Sequence, residues 1–195
     1  MRHIQRAFPV FVLTMLAACG SSPGAPSSAP SLTVMLKDSP YSDAKALLVT
    51  FSDVSAHVTG SNVSGGGDWT TLPFTGGGAS RTCDLKKLTT AQDILGSGSL
   101  AAGRYTQIRL VVSSAALYFD NASSGAACAP AMSAPAGRNA AVTIPSGEVK
   151  LNREFDVASN GGTTILVDFD GDKSVNDTGN GTYKMTPVMT VVSVQ

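Results

Sequence analysis

Gln107-Ile108-Arg109-Leu110-Val111-Val112 is the stretch on which the fold turns. Ile108, Leu110 and Val112 face one way, while Gln107, Arg109 and Val111 face the other. That is the period of a half-buried strand. Leu117 and Phe119 continue the strand after a bend. The same alternation appears at Leu32-Thr33-Val34-Met35-Leu36-Lys37 and stops at Asp38-Ser39-Pro40. Ala46–Phe51 begins a longer strand, in which Val49 and Phe51 share one parity and Val54, Ala56 and Val58 the other. The phase change near Ser52-Asp53 predicts a β-bulge, since a one-residue slip otherwise turns the apolar set outward.

Trp69–Phe74, 141–144, 148–157, 163–169 and 183–194 complete the set, with Pro187 marking an edge or bulge in the last run. Ser61–Asp68, with three consecutive glycines, reads as a loop, as does 121–139, which is rich in Ala, Ser, Gly and Pro. Thr89–Leu95 is the one stretch that reads as a helical turn, with Thr capping it and Asp93 near its start. About nine strands separated by turn residues predict an all-β fold, a single β-sandwich over residues 32–195.

Composition agrees. Of 195 residues, 43% are hydrophobic and only 14% charged, with 14 Lys+Arg against 14 Asp+Glu. That balance excludes a highly charged disordered chain and speaks against a nucleic-acid binder held by a basic surface.

Residues 1–18 read as a signal peptide. Arg2, His3 and Arg6 precede a short apolar run, 7–16, too short to span a bilayer about 30 Å thick. The segment ends Leu16-Ala17-Ala18-Cys19, which resembles the lipobox of bacterial lipoproteins. An aliphatic residue and two small ones precede the Cys19 thiol that takes the lipid. Several acyl chains at about 0.8 kcal/mol per buried CH₂ would hold the protein on a membrane. Asp directly after the cysteine is the inner-membrane retention signal of lipoproteins. Gly20 stands there, so the expected site is the outer membrane, lipid-anchored. Residues 19–31, the lipidated Cys and a Gly/Ser/Pro/Ala stretch, read as a tether. Cleavage removes Arg2 and Arg6 and leaves 12 basic against 14 acidic side chains. Cys83 and Cys128 then remain, an even pair in an exported chain, and predict a disulfide.

Candidate chemistry is sparse. With His3 removed, a hydrolase would have to use His57, with Asp53 or Asp84 as its carboxylate. No Gly-x-Ser-x-Gly elbow accompanies it, and no catalytic residue is assigned. Asp168, Asp170 and Asp172 follow the i, i+2, i+4 spacing of a calcium loop. The pattern then fails, with Lys173 at its sixth position and Gly179 at its twelfth. No cofactor is expected beyond that structural calcium, against which stands a plain strand end with Asp168 and Asp170 outward. Sugar binding wants exposed aromatic platforms, and Trp69 and Tyr105 are the candidate contacts. A glycan or an envelope protein is the partner class, alongside the membrane.

Leu36-Lys37-Asp38-Ser39-Pro40, Asp84-Leu85-Lys86-Lys87-Leu88 and 100–110 (LAAGRYTQIRL) occur in that order. Ile144-Pro145-Ser146-Gly147, Asp168-Phe169-Asp170 with Lys173-Ser174-Val175, and Tyr183-Lys184-Met185-Thr186-Pro187-Val188 follow. Together they resemble a bacterial domain of unknown function, family 4382, common in exported lipoproteins. The resemblance covers roughly residues 32–194. It carries no established activity and so assigns no catalytic residue. Gly103-Arg104-Tyr105 also resembles the strand start of transthyretin-like and carbohydrate-binding-like sandwiches, which implies an accessory module. The cysteine-bearing 121–139 insertion departs from the family pattern.

Overall fold

The computed structural model describes residues 28–58 and 68–195. The signal peptide, Cys19 and most of the tether and of the Ser61–Asp68 loop lie outside the described residues. In chain order the strands are β1 (Ser31–Ser39), β2 (Ala46–Val58), β3 (Trp69–Thr71), β4 (Arg81–Asp84), β5 (Asp93–Ser99) and β6 (Gly103–Tyr118). There follow β7 (Cys128–Ala129), β8 (Asn139–Thr143), β9 (Glu148–Val157), β10 (Gly162–Asp170), β11 (Val175–Gly179), β12 (Thr182–Met185) and β13 (Met189–Val194). One helical turn, α1 (Gly171–Ser174), and a 3₁₀ turn, Leu85–Leu88, interrupt them.

The strands form two sheets. One runs β13-β10-β1-β5, and the other β11-β12-β8-β6-β2-β4-β7, with β3 also on β2 and β9 also on β6. The fold is an all-β sandwich, as the alternation predicted, with more and shorter strands than the nine expected.

The core follows from that alternation. Leu32, Val34 and Leu36 of β1 and Ile165, Val167 and Phe169 of β10 are fully buried against Val49, Phe51, Val54, Ile108 and Leu110 of the other sheet. Phe51 and Phe169 meet edge to face, with centroids 6.3 Å apart. At about 25 cal/mol per Å² of apolar surface, burial of such side chains supplies the main drive to fold. The expected bulge is present, because β2–β6 pairing passes from Phe51↔Val112 to Asp53↔Val111 and skips Ser52. The expected bend in β6 is its counterpart. Thr50 pairs with Ser114 and Phe51 with Val112, so Ser113 is skipped.

Three expectations need correction. The helical turns are at Leu85–Leu88, where Asp84 caps the turn and accepts the Lys86 N–H, and at Gly171–Ser174, capped by Asp170, not at Thr89–Leu95. Asp93-Ile94-Leu95 instead joins β5, where Ile94 pairs with Met35. The run 183–194 is two strands, not one. Pro187 interrupts it, and β12 joins one sheet while β13 crosses to the other. The 121–139 loop contains a short strand, β7, pairing Cys128 with Cys83.

Connections define two poles. Ser31, where the chain enters β1, pairs with Gly162 and Ser99, and Leu100 N–H donates to Pro30 O. At the other end β1 turns through residues 40–45 into β2, whose first residue pairs with Tyr118. Nine residues of β1 separate the poles, about 30 Å at the usual strand rise.

Candidate binding site

The residues a hydrolase would need are not assembled. Asp84 pairs with Leu48, nine residues before His57 along β2. That spacing is about 30 Å. Asp84 is fully buried and saturated. It accepts from Leu47 N–H at 3.2 Å, Lys86 N–H at 3.1 Å and Ser123 Oγ at 2.5 Å. It therefore ties β4 to β2 and to the 121–139 loop. Asp53 is also taken. Its carboxylate accepts from Ser55 Oγ at 2.7 Å, Thr71 Oγ1 at 3.2 Å and Arg109 Nε at 3.3 Å. His57 Nδ1 lies 3.2 Å from Thr106 Oγ1, and among the described residues no carboxylate bonds it.

Trp69 sits on the outer face of β3-β2-β6-β9, paired across from His57, whose ring is 5.1 Å away. The Arg109 guanidinium lies 4.5 Å from the indole centroid, and Lys150 Nζ 5.9 Å from it. A cation already occupies this aromatic surface, so it is not a vacant stacking platform. Tyr105 is placed differently from the expectation. It is 1% exposed, stacks on Phe155 at 5.4 Å and donates its hydroxyl to Ala101 O, which makes it a core residue.

Asp168, Asp170 and Asp172 do not converge. Lys37 Nζ is 3.4 Å from Asp168, and Lys173 Nζ is 2.7 Å from Asp170. Asp170 also caps α1, accepting the Lys173 N–H at 3.0 Å. These two bonds hold its carboxyl below the usual carboxylate range. Among the described residues, no three acidic, His or Cys side chains gather as a metal site would require. The strand-end arrangement is the one observed.

The disulfide between Cys83 and Cys128 is formed and ties the 121–139 loop to β4. Arg81 reinforces it from beneath. This guanidinium, 5% exposed, donates to Thr75 O, to Asp93 Oδ1 at 3.1 Å and to Cys128 O at 3.4 Å.

Where that loop returns to the sheet, a groove of about 370 Å³ opens, lined by Phe119, Arg138, Asn139, Ala140, Gly181 and Tyr183. The volume falls within the range of small-ligand sites. Phe119 and Tyr183 are half-buried, with centroids 5.7 Å apart and planes at 38°. Phe119 N–H donates to Arg138 O, which closes the loop at its base. The Arg138 side chain leans over the Phe119 ring at 5.9 Å and donates Nε to Asp120 Oδ1 at 3.0 Å. Backbone and side-chain bonds from Arg138 hold the Asp120 carboxyl below its ordinary range. Gly181 has φ 73°, a left-handed conformation suited to glycine, and it leaves the mouth open. The groove therefore presents two rings, a guanidinium and an amide to solvent.

Sequence reading missed this site for a definite reason. Phe119 shares parity with the buried Leu117, so alternation assigned it inward. Phe119 does pack on that core, but β6 ends at Tyr118 and leaves the ring half-exposed, which alternation does not convey. Arg138 and Asn139 lie at the far end of the insertion, whose return point only the disulfide and strand pairing define.

The same pole holds a buried carboxyl. Asp38 continues the inward stripe of Leu32, Val34 and Leu36 and is 5% exposed. Its Oδ1 accepts the Gly171 N–H at 3.1 Å, and its Oδ2 is buried with no hydrogen-bond partner. Burial raises its pKa to about 7 against that bond, with Asp168 and Asp170 adding to the rise and Lys86 opposing it.

No curated protein and no solved structure matches the chain. Over residues 30–187 the chain fits the family described as Domain of unknown function (DUF4382), and it belongs to that family.

Proposed function

We propose that this protein is an exported lipoprotein, held on a membrane through Cys19, whose sandwich is a non-catalytic binding module that takes a glycan in the Phe119–Arg138–Tyr183 groove. The observation that carries the reading is the groove itself: two half-exposed aromatic rings beside a guanidinium and the Asn139 amide. Aromatic faces stack on the apolar faces of pyranose rings, and planar guanidinium and amide groups bond pairs of hydroxyls.

Placement supports it. The chain enters β1 at Ser31, while Phe119 follows Tyr118, whose partner Ala46 begins β2 at the opposite pole. Attachment through Cys19 would thus join the domain at the pole opposite the groove, which supports a groove free of the anchor. The catalytic reading has less behind it, because among the described residues no carboxylate bonds His57 and Asp84 lies far along the sheet.

A glycan array probed with the detergent-solubilised full chain tests the binding, with Tyr183→Ala as reference. Retention of a defined glycan class by wild type alone supports the reading; equal signals from the two overturn it. Labelling with a palmitate analogue tests the anchor. Label should enter wild type and be absent from Cys19→Ser, and a labelled variant removes the anchor from the proposal.

A further inference from the structure

The segment Gly171–Val188 carries one wall of the groove, Gly181 and Tyr183, and it closes largely on itself. Asp170 N–H donates to Val188 O, Thr186 N–H to Ser174 O, and Val188 N–H to Ser174 Oγ. It docks on the rest of the domain through three attachments. Tyr183 and Lys184 pair with Val142 and Thr143, Val175 and Met185 enter the core, and Gly171 N–H donates to the buried Asp38.

The third attachment is the chemically sensitive one. A Cβ on Gly171 would lie 3.1 Å from both Asp38 Oδ1 and Tyr41 N, so the chain passes this point in close contact. Asp38 Oδ2 is buried with no donor to stabilise a negative charge. An ionised carboxylate held by one backbone N–H in such a place is costly, and a neutral carboxyl is not. The charged groups around it are few. β10 contributes Asp168 and Asp170, which repel a second negative charge, and the 3₁₀ turn contributes Lys86, which attracts it. Of these, Asp168 faces Lys37 through Oδ2 at 3.4 Å while its Oδ1 is buried without a partner, Asp170 is paired with Lys173, and Lys86 donates its Nζ to Tyr41 O at 2.7 Å. α1 itself adds Asp172 and Lys173. Tyr41 then carries the contact onward. Its hydroxyl is held above its ordinary range first by burial and then by Asp43, Tyr183, Asp177 and Asp172.

We propose that the Asp38 carboxyl is a protonation-controlled latch on Gly171–Val188: neutral, it seats α1 and with it the Tyr183 wall of the groove, and ionised, it releases them. The event is a proton leaving Asp38 Oδ2 for solvent, with no other covalent bond made or broken. The Gly171 N–H bond favours the charged form but is one donor only, and it opens because a hydrated carboxylate costs less than a buried one. The elevated proton affinity of Asp38 places the transition near neutral pH. Its consequence for a ligand rests on the groove reading above; the latch itself does not.

Hydrogen exchange on the full chain without ligand tests it, expressed as protection factors so that the intrinsic pH dependence of exchange cancels. Amides of 171–188 should lose about 10- to 100-fold in protection between pH 5 and pH 8, tenfold corresponding to one unit of differential pKa. Amides at the centre of β2 and β6 should hold theirs. Asp38→Asn keeps an acceptor for Gly171 N–H without a titrating proton, and its protection should be independent of pH. Lys86→Met removes the opposing positive charge and should move the wild-type midpoint to higher pH. Equal wild-type protection at pH 5 and pH 8 overturns the latch, as does a pH-dependent loss in Asp38→Asn or an unmoved midpoint in Lys86→Met. Failure of glycan binding at pH 5, with the exchange result intact, would remove only the groove reading.

Discussion

Phe119 and Tyr183, on chain segments separated by β8, hold their rings 5.7 Å apart at 38° to one another. Both rings pack in part against the core and stay half-exposed, with Arg138 over one side of Phe119, so a ligand would meet their exposed edges and the open face of Tyr183. Phe119→Ala and Tyr183→Ala should each weaken glycan binding about tenfold or more, equivalent to roughly 1.4 kcal/mol. Titration calorimetry with a glycan identified on the array measures this. Wild-type affinity in both variants would show that the rings are not contacts.

Trp69 makes the contrasting case. Its indole meets the Arg109 guanidinium, which in turn bonds Asp53 and Ser55 at 3.3 and 3.1 Å. That chain of contacts fixes the outer face of the sheet. Trp69→Ala should cost about 1–2 kcal/mol of stability through the lost cation–π contact and packing. It should leave glycan affinity unchanged. Paired melts and titrations check both halves, and a variant with native stability and lost binding would reverse the assignment.

These two aromatic sites also show what the sequence could convey. Alternation at Leu32–Leu36 and Gln107–Val112 specified the strands, because side-chain period and burial are local properties. It placed the Ser52 bulge for the same reason. The cysteine count anticipated the Cys83–Cys128 bond. The groove is non-local. Arg138 meets Phe119 only because β7 pairs with β4 and the loop is returned to the start of β8, information no local period holds. Tyr105 was misplaced because an amphipathic ring reads equally well as platform or core, and only its stacking on Phe155 decides. Thr89–Leu95 failed because capping residues outline a helix in sequence, while pairing of Ile94 with Met35 favours a strand.

Asp38 gives the whole domain a pH dependence of predictable sign. Its folded pKa of about 7 lies above the ordinary 3.8, so its contribution is fully present below the latter and is lost as pH rises through the former. Between pH 5 and pH 8 wild type should lose about 2–3 kcal/mol relative to Asp38→Asn, at 1.36 kcal/mol per unit of effective shift. Asp120 and Asp170 act oppositely, with lowered pKa values whose stabilisation is lost only as pH falls through the acid range. Comparing wild type with Asp38→Asn cancels them. Parallel denaturation profiles for the two proteins across this range would refute the assignment.

The disulfide links residues 45 apart in sequence, so its removal should act mainly on the unfolded chain. Releasing a loop of that length costs about 4 kcal/mol in the loop-entropy account. For a domain of this size that is a fall of roughly 8–16 °C in Tm. The folded state suffers as well, because Arg81 loses the anchored Cys128 carbonyl and Ser123 its fixed approach to Asp84. Cys83→Ser/Cys128→Ser should therefore also weaken the groove, whose Arg138 lies at the end of the freed loop. Glycan affinity should fall at a temperature well below the new Tm, while the spectroscopic signature of the sandwich is retained. A double variant that melts with wild type would show that strand pairing of β7 with β4 alone holds the loop.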